Sequence, residues 1–557
     1  MGAAMIAAPA RLVRARPVGV RIARADDRLV LIALVAVVLL VTALPDLIAR
    51  LSAPPDRVFM GIVLNVPDTA QYLSWARESS RAVLIENRLT PERGEPVFFN
   101  LFWLGVGRLA AGLGLGLAET LQLVRPLAGA GYLLATYWLA GLLTRDRLER
   151  WTAFLVAGLG GGLGWLLVLG KQFTGGDVLF PLDLYVNESN TVLSVMAFPL
   201  ASASALLLLL ALGLAALALE RGDLRPALAA GASALVLGLM HGYDLLIVYA
   251  VVGATALALA ARSRERIRPL LIAALVCGPS APAAAYLAYL TSASPIWRGV
   301  LAQYGNAGVY TPSPPHLLIL IGLPLWVALL GLPAAWRRGP CAFVRTAGPR
   351  DLLLASWLVV GFLLLYIPTD FQIKMLAAWQ VPVAIVAARL LARSVGRRLG
   401  ARPSTLAALL VLATLPVNLY LVSWRVVELG RHDYPYYLHR DEVAALAWLA
   451  ENSRPEEVVL SSLTIGQYLP GVAGNSAFLA HWAQTLDFFE KRRLVGEFFA
   501  AQTPEATRLE TLRRYGVRYV FYAQPEREIG RFDPASSPHL RPAFISPSAS
   551  VYRVVDR

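Results

Sequence analysis

Charge is what this sequence is short of. Only 16% of its 557 residues are Asp, Glu, Lys or Arg, while 57% are hydrophobic. Soluble domains carry about 25% charged residues, so an ordinary soluble globule is excluded, and the mean hydropathy of +0.56 points the same way. Cysteine is also scarce. Of the two, Cys277 lies in an apolar run and Cys341 in a basic loop, which leaves neither a disulfide framework nor a Cys/His spacing for zinc. There is no P-loop, no dinucleotide-binding glycine fingerprint and no serine-elbow motif. Internal repeats and low-complexity linkers are missing too.

What the chain has is long apolar runs. About 20 mostly apolar residues span a bilayer, and eleven segments qualify: 29–49, 125–143, 151–170, 192–219, 227–243, 244–261, 269–290, 316–336, 352–367, 375–392 and 404–424. The net charge of +14 would suggest nucleic acid in a soluble protein. Here the arginines sit in short loops beside apolar runs, so the positive-inside bias accounts for them and no nucleic-acid partner is expected. Arg145, Arg147 and Arg150 follow the second segment, Arg221 and Arg225 the fourth, and Arg262, Arg264, Arg266 and Arg268 the sixth. Arg337, Arg338, Arg345 and Arg350 follow the eighth, and Arg393, Arg397, Arg398 and Arg402 the tenth. Every cluster falls on the cytoplasmic side if the amino terminus is cytoplasmic. An odd number of spans then puts the carboxy terminus outside.

The basic stretch 1–28 is read as a cytoplasmic tail. The apolar run after it is longer than a signal-peptide core of about 7–15 residues and has no evident cleavage site, so it reads as a retained span. Residues 97–117 are apolar enough for another span, but counting them would invert every later loop. With Asn100, Arg108 and five glycines, that stretch reads instead as a helix lying in the outer interface. The expected fold is mainly α: a polytopic helical bundle (29–424) with interfacial helices in a first outer loop (50–124), and a small exoplasmic α/β domain (425–557). The last of these rests on helical periodicity at 441–452 and 485–514 and on β-rich runs at 458–462, 517–523 and 551–555.

Few polar residues on the outer face are candidates for chemistry. Asp68 in NVPDTAQYLSWARES follows a proline; it could cap the next helix, or act as a carboxylate at the lip of a membrane cavity that binds a metal or takes a proton. Glu188 in YVNESN is a second outer acid, either a solvated loop charge or the partner of Asp68. His241 and Asp244 in MHGYDLL either satisfy each other or line a cavity, since ionisable groups at membrane depth are costly. Lys374 and Arg125 begin spans on the outer side, where a cation either snorkels or holds a phosphate. Tyr72 belongs to the interfacial face of the helix after Asp68, and 291–315 forms an outer loop rich in aromatic and turn residues.

Together, one span, a long outer loop holding an acid, interfacial helices and an arginine-led second span (LVRPLAGAGYLLATYWLAGLLTRD) resemble the GT-C superfamily of membrane glycosyltransferases. The likeness runs to its protein mannosyltransferase and aminoarabinose transferase branches and to uncharacterised bacterial members. IPTDFQIKMLAAWQVPVAI and the tail segments WLAENSRPEEVVLSS, IGQYLPGVAGNSAFLAHWAQT and RRYGVRYVFYA carry it to the end of the chain. The resemblance implies a bacterial plasma-membrane enzyme that moves a sugar from a polyprenyl-phosphate donor to a glycan, lipid or protein acceptor at the outer face. By position Asp68 would be its first-loop catalytic acid and Glu188 the second. Lys374 and Arg125 would hold donor phosphate, His241, Asp244 and Tyr72 would line the cavity, and Asp68 with Glu188 could ligate a divalent cation such as Mg or Mn. Thr69 and Ala70 stand where a second first-loop carboxylate would follow, and the WWDYG signature is missing, which argues against N-glycosylation. A transporter with a midplane site, or a membrane scaffold with an outer binding domain, are the alternatives.

Overall fold

The structure is a computed structural model that describes residues 25–176, 179–263, 265–307, 310–330, 339–395 and 400–555. Arg11, Arg14, Arg16, Arg21, Arg24, Arg264, Arg337, Arg338, Arg397 and Arg398 lie outside those residues, as does most of the basic stretch 1–28. Among the described residues, seven helices are long and apolar enough to cross a membrane: Ala25–Ser52, Leu117–Leu143, Pro199–Arg221, Asp244–Arg262, Ile267–Ala293, Gln372–Arg393 and Pro403–Leu429. An eighth forms if Arg147–Leu159 and Gly164–Thr174, bent by 44° at their junction, are one span. The chain is thus a multi-pass membrane protein. The remaining apolar segments are helical but shorter or broken: Leu224–Met240, Pro314–Leu320 with Leu323–Leu330, and Pro349–Leu364.

Two of these breaks meet. Glycines at 160–162 interrupt one helix, and Gly322, with φ of +69°, interrupts another. A Cβ on Gly162 would lie 2.0 Å from the Leu320 carbonyl oxygen, so only glycine permits this approach. The freed backbone is satisfied across the junction, where Leu163 N donates to Ile319 O at 2.8 Å, as backbone at membrane depth requires.

The long loop between the first two spanning helices folds against the carboxy-terminal region. Strand β1 (Arg57–Phe59) pairs antiparallel with β2 (Tyr437–His439). The helix Val66–Ser79 follows, and Leu101–Leu113, too short to cross a bilayer, packs on it. Asn100 starts that second helix by accepting from Phe102 N and Trp103 N. The tail holds a five-stranded sheet in the order β4-β3-β5-β7-β6. Strands β3 (Val458–Leu460) and β4 (Ser476–Ala477) run parallel, as do β3 and β5 (Val517–Tyr522). β7 (Ser550–Val554) runs antiparallel to both β5 and β6 (Leu540–Ile545). One buried apolar cluster joins this sheet to the first-loop helices through Leu73, Trp75, Trp103, Leu469 and Phe521. The expected small α/β domain is present and rests directly on the interfacial helices. Cys277 and Cys341 are both free.

Candidate active site

The site begins at a helix start. Asn65, in the left-handed region at φ 49°, caps Val66–Ser79. Asp68 is therefore not the cap, one of its two readings from the sequence; its backbone N–H donates to Asn65 Oδ1 at 3.4 Å. With the cap supplied by Asn65, the Asp68 carboxylate is free to take other partners. Its Oδ2 accepts from Asn65 Nδ2 at 2.7 Å, and its Oδ1 lies 3.0 Å from His481 Nε2. The acid stays 23% exposed while the imidazole is 2% exposed, so Asp68 is reachable and His481 is not. Burial alone would push the Asp68 carboxyl up, but His481, the Lys374 charge and the Asn65 bond outweigh it and hold the carboxyl below its ordinary value.

Lys374 sits in a helical turn, Gln372–Leu376, and reaches Glu188 at 2.6 Å. Glu188 is thus not a solvated charge: it is 4% exposed, and Lys374 18%. The lysine also lies within electrostatic reach of Asp68 and Tyr72. Burial first, then the negative charges of Asp68 and Glu188, raise the Tyr72 hydroxyl far above its usual range, so it stays a neutral phenol. Tyr72 stacks on Trp103 with centroids 4.7 Å apart. A file of rings then links the two halves of the site: Phe371 to Tyr243 at 4.9 Å, Tyr243 to Tyr304 at 6.1 Å, and Tyr304 to Trp482, beside His481, at 5.5 Å.

The other expected residues divide between two small cavities. His241 and Asp244 share a cavity of about 20 Å³ with Glu188. The two face each other at 3.1 Å, too poorly aligned to hydrogen-bond. Arg125 is elsewhere. Buried at 6% exposure, it donates to Gln122, Thr42 and the Val195 carbonyl. It meets the site only through a second cavity of about 30 Å³ that it lines with Thr69 and Tyr72. Those partners are the contacts of a residue tying three helices together, and they use donors a phosphate would need. His241 and Asp244 lie at one end of their helices and Arg221 and Arg262 at the other, so the acids and the arginine loops occupy opposite ends of the bundle.

Sequence reasoning missed His481 entirely. Its only signal was a histidine beside a tryptophan in AHWAQT, 413 residues from Asp68. It also missed Gln303 and Asn306, which reach from the aromatic outer loop to the backbone around His481.

Archaeal oligosaccharyltransferase AglB from Archaeoglobus fulgidus, solved with an inhibitory peptide and a dolichol-phosphate, superposes at a TM-score of 0.55 with 14% identity, over 87% of this chain and 69% of its own. Arabinofuranosyltransferase AftD from Mycobacteria superposes at 0.55 with 16% identity, over 95% of this chain and 40% of its own. The fold is that of the GT-C membrane glycosyltransferases. ArnT from Cupriavidus metallidurans, solved with undecaprenyl phosphate, aligns over 96% of this chain at 14% identity, but its TM-score of 0.48 does not single out the aminoarabinose transferase branch. No family model and no curated protein matches the sequence.

Proposed function

We propose that this chain is a membrane glycosyltransferase that moves one sugar from a polyprenyl-phosphate donor to a hydroxyl acceptor. The observation that carries this reading is a reachable carboxylate, Asp68, within electrostatic reach of a charge-paired lysine, Lys374, in a GT-C-like bundle. AglB with its dolichol-phosphate supports a lipid-phosphate donor. In this reading 29–424 is the catalytic membrane domain and 425–557 covers it on the exoplasmic side, with the amino terminus cytoplasmic.

The acceptor hydroxyl gives its proton to the Asp68 carboxylate as its oxygen bonds to the anomeric carbon. The bond from that carbon to the donor phosphate oxygen breaks, and its electron pair leaves with the lipid phosphate. Lys374 has three N–H donors, of which Glu188 takes one. The other two meet the charge that develops on the leaving phosphate. Glu188 therefore orients the cation rather than acting beside Asp68 as a second acid.

A divalent cation such as Mg or Mn would have to take its oxygens from Asp68 and Glu188. Each carboxylate already has partners, and among the described residues no group of three or more His, Cys, Asp or Glu is arranged to hold a metal. AglB has been crystallised with Zn and sulfate; no step here is routed through a metal. Asp68→Asn tests the reading. Transfer from a labelled polyprenyl-phosphate sugar should fall by roughly 10²–10⁴-fold, the usual worth of a general base. Undiminished turnover would remove Asp68 from the reaction.

A further inference from the structure

His481 comes from the carboxy-terminal domain, yet its ring nitrogen touches the first-loop acid. Its other nitrogen, Nδ1, accepts backbone N–H bonds from Ala483 at 3.0 Å and Gln484 at 3.2 Å. A nitrogen facing two N–H donors carries no proton of its own. A neutral imidazole has one donor and one acceptor, so the proton sits on Nε2, 3.0 Å from Asp68 Oδ1.

The loop that carries His481 is held from three sides. Thr485 Oγ1 donates to Leu89 O at 2.6 Å and accepts from Ala480 N and His481 N at 3.0 Å. From the first outer loop, Asn87 Nδ2 donates to Gln484 O at 2.9 Å. From the aromatic outer loop, Gln303 Nε2 donates to Ala483 O and Thr485 O, and Asn306 Nδ2 to Trp482 O, at 3.0–3.1 Å. The ring has no freedom to turn, and 2% exposure keeps water from replacing it.

We propose that His481 is a positioning residue: a donor of fixed tautomer, supplied by the carboxy-terminal domain, that holds the Asp68 carboxylate ionised and in place. It shuttles no proton itself, because the nitrogen away from Asp68 already accepts two backbone bonds. The inference rests on the proposed role of Asp68 only for its catalytic meaning; the pairing itself stands on geometry. It also gives the docked domain a chemical task, since the base is complete only when that domain is seated.

The test titrates Asp68 in the full-length detergent-solubilised protein, reading the carboxyl band as the infrared difference between each protein and its Asp68→Asn counterpart. The wild-type carboxyl should ionise below the usual carboxylate range of about 4. His481→Phe removes the N–H and should raise the midpoint by about one unit, a tenfold change in ionisation, because a hydrogen bond to the charged form favours it. His481→Gln, whose amide N–H reaches a similar position, should restore most of the shift. A role in packing alone would leave the midpoint where it was in all three, and that result overturns the proposal. Should His481→Phe fail to fold, ¹⁵N-histidine spectra decide between wild type and Asp68→Asn. One neutral Nε2–H ring, identified by its loss in His481→Gln, should shift its N–H proton when Asp68 is neutralised, and an unmoved proton overturns the pairing. Neither readout needs turnover, so failure of Asp68 as the base and failure of the His481 contact are seen separately.

Discussion

Lys374 and Glu188 neutralise each other where neither can be well hydrated. The attraction of a buried pair roughly offsets its desolvation, but removing one partner leaves the other uncompensated at a cost of about 3–5 kcal/mol. Lys374→Met should accordingly lower the thermal unfolding midpoint in detergent as well as turnover. Glu188→Gln with Lys374→Met should recover the midpoint and not the turnover. Equal loss of stability in the single and double variants would mean that Glu188 has another partner. The pH dependence of turnover should follow Asp68. Its carboxyl lies below the ordinary value, so the active carboxylate persists through mild acid and is lost only as pH falls through that lowered value. At this scale the sequence showed Asp68, Glu188, Lys374 and Tyr72 as isolated polar groups among apolar runs. It could not show their partners, because Lys374 and Glu188 lie 186 residues apart in the chain and His481 and Asp68 lie 413 apart. Arg125 was legible as a cation at the start of a span, but not as one buried and already bonded to oxygens on three helices.

At the scale of elements, the site is held up by the two first-loop helices, and their packing depends on one glycine. A Cβ on Gly107 would stand 2.2 Å from the Ala76 carbonyl oxygen and 2.8 Å from Ser80 N, whereas a Cβ on Gly105 meets nothing within 4 Å. Gly107→Ala should push Leu101–Leu113 off Val66–Ser79 and destabilise by about 1–3 kcal/mol, the usual cost of overpacking. Gly105→Ala on the same helix should leave the unfolding midpoint unchanged or slightly raised, since alanine is the better helix former. Similar midpoints for the two would show that these helices do not pack closely. The interfacial reading of 97–117 came from loop charges rather than from hydropathy, and a helix of 13 residues agrees with it. Where described, the eleven apolar segments are largely helical, yet among the described residues seven helices, or eight with the bent pair, reach spanning length. A hydropathy window averages over breaks such as those at 160–162 and 322, which show only when the two segments are brought together.

At the scale of the whole molecule, a long apolar helix supplies Lys374, a short turn between helices (Asn187–Ser189) Glu188, the first long loop Asp68, and the carboxy-terminal domain His481. The composition and the loop charges made the class legible, and the tail's alternating helix and strand signals made its α/β nature legible. That the tail docks by strand pairing, Arg57 against His439, and by His481 was not legible, because such long-range pairings leave no local pattern. This shared construction suits chemistry on a lipid-borne substrate better than passage through a midplane site. The most direct measurement follows the fate of a polyprenyl-phosphate sugar, labelled in both lipid and sugar, in proteoliposomes holding the full-length protein and a panel of hydroxyl acceptors. Free lipid phosphate should appear in step with glycosylated acceptor, and neither should form with Asp68→Asn. Labelled donor that crosses the bilayer intact, with no lipid phosphate released, would contradict glycosyl transfer and leave the protein a transporter.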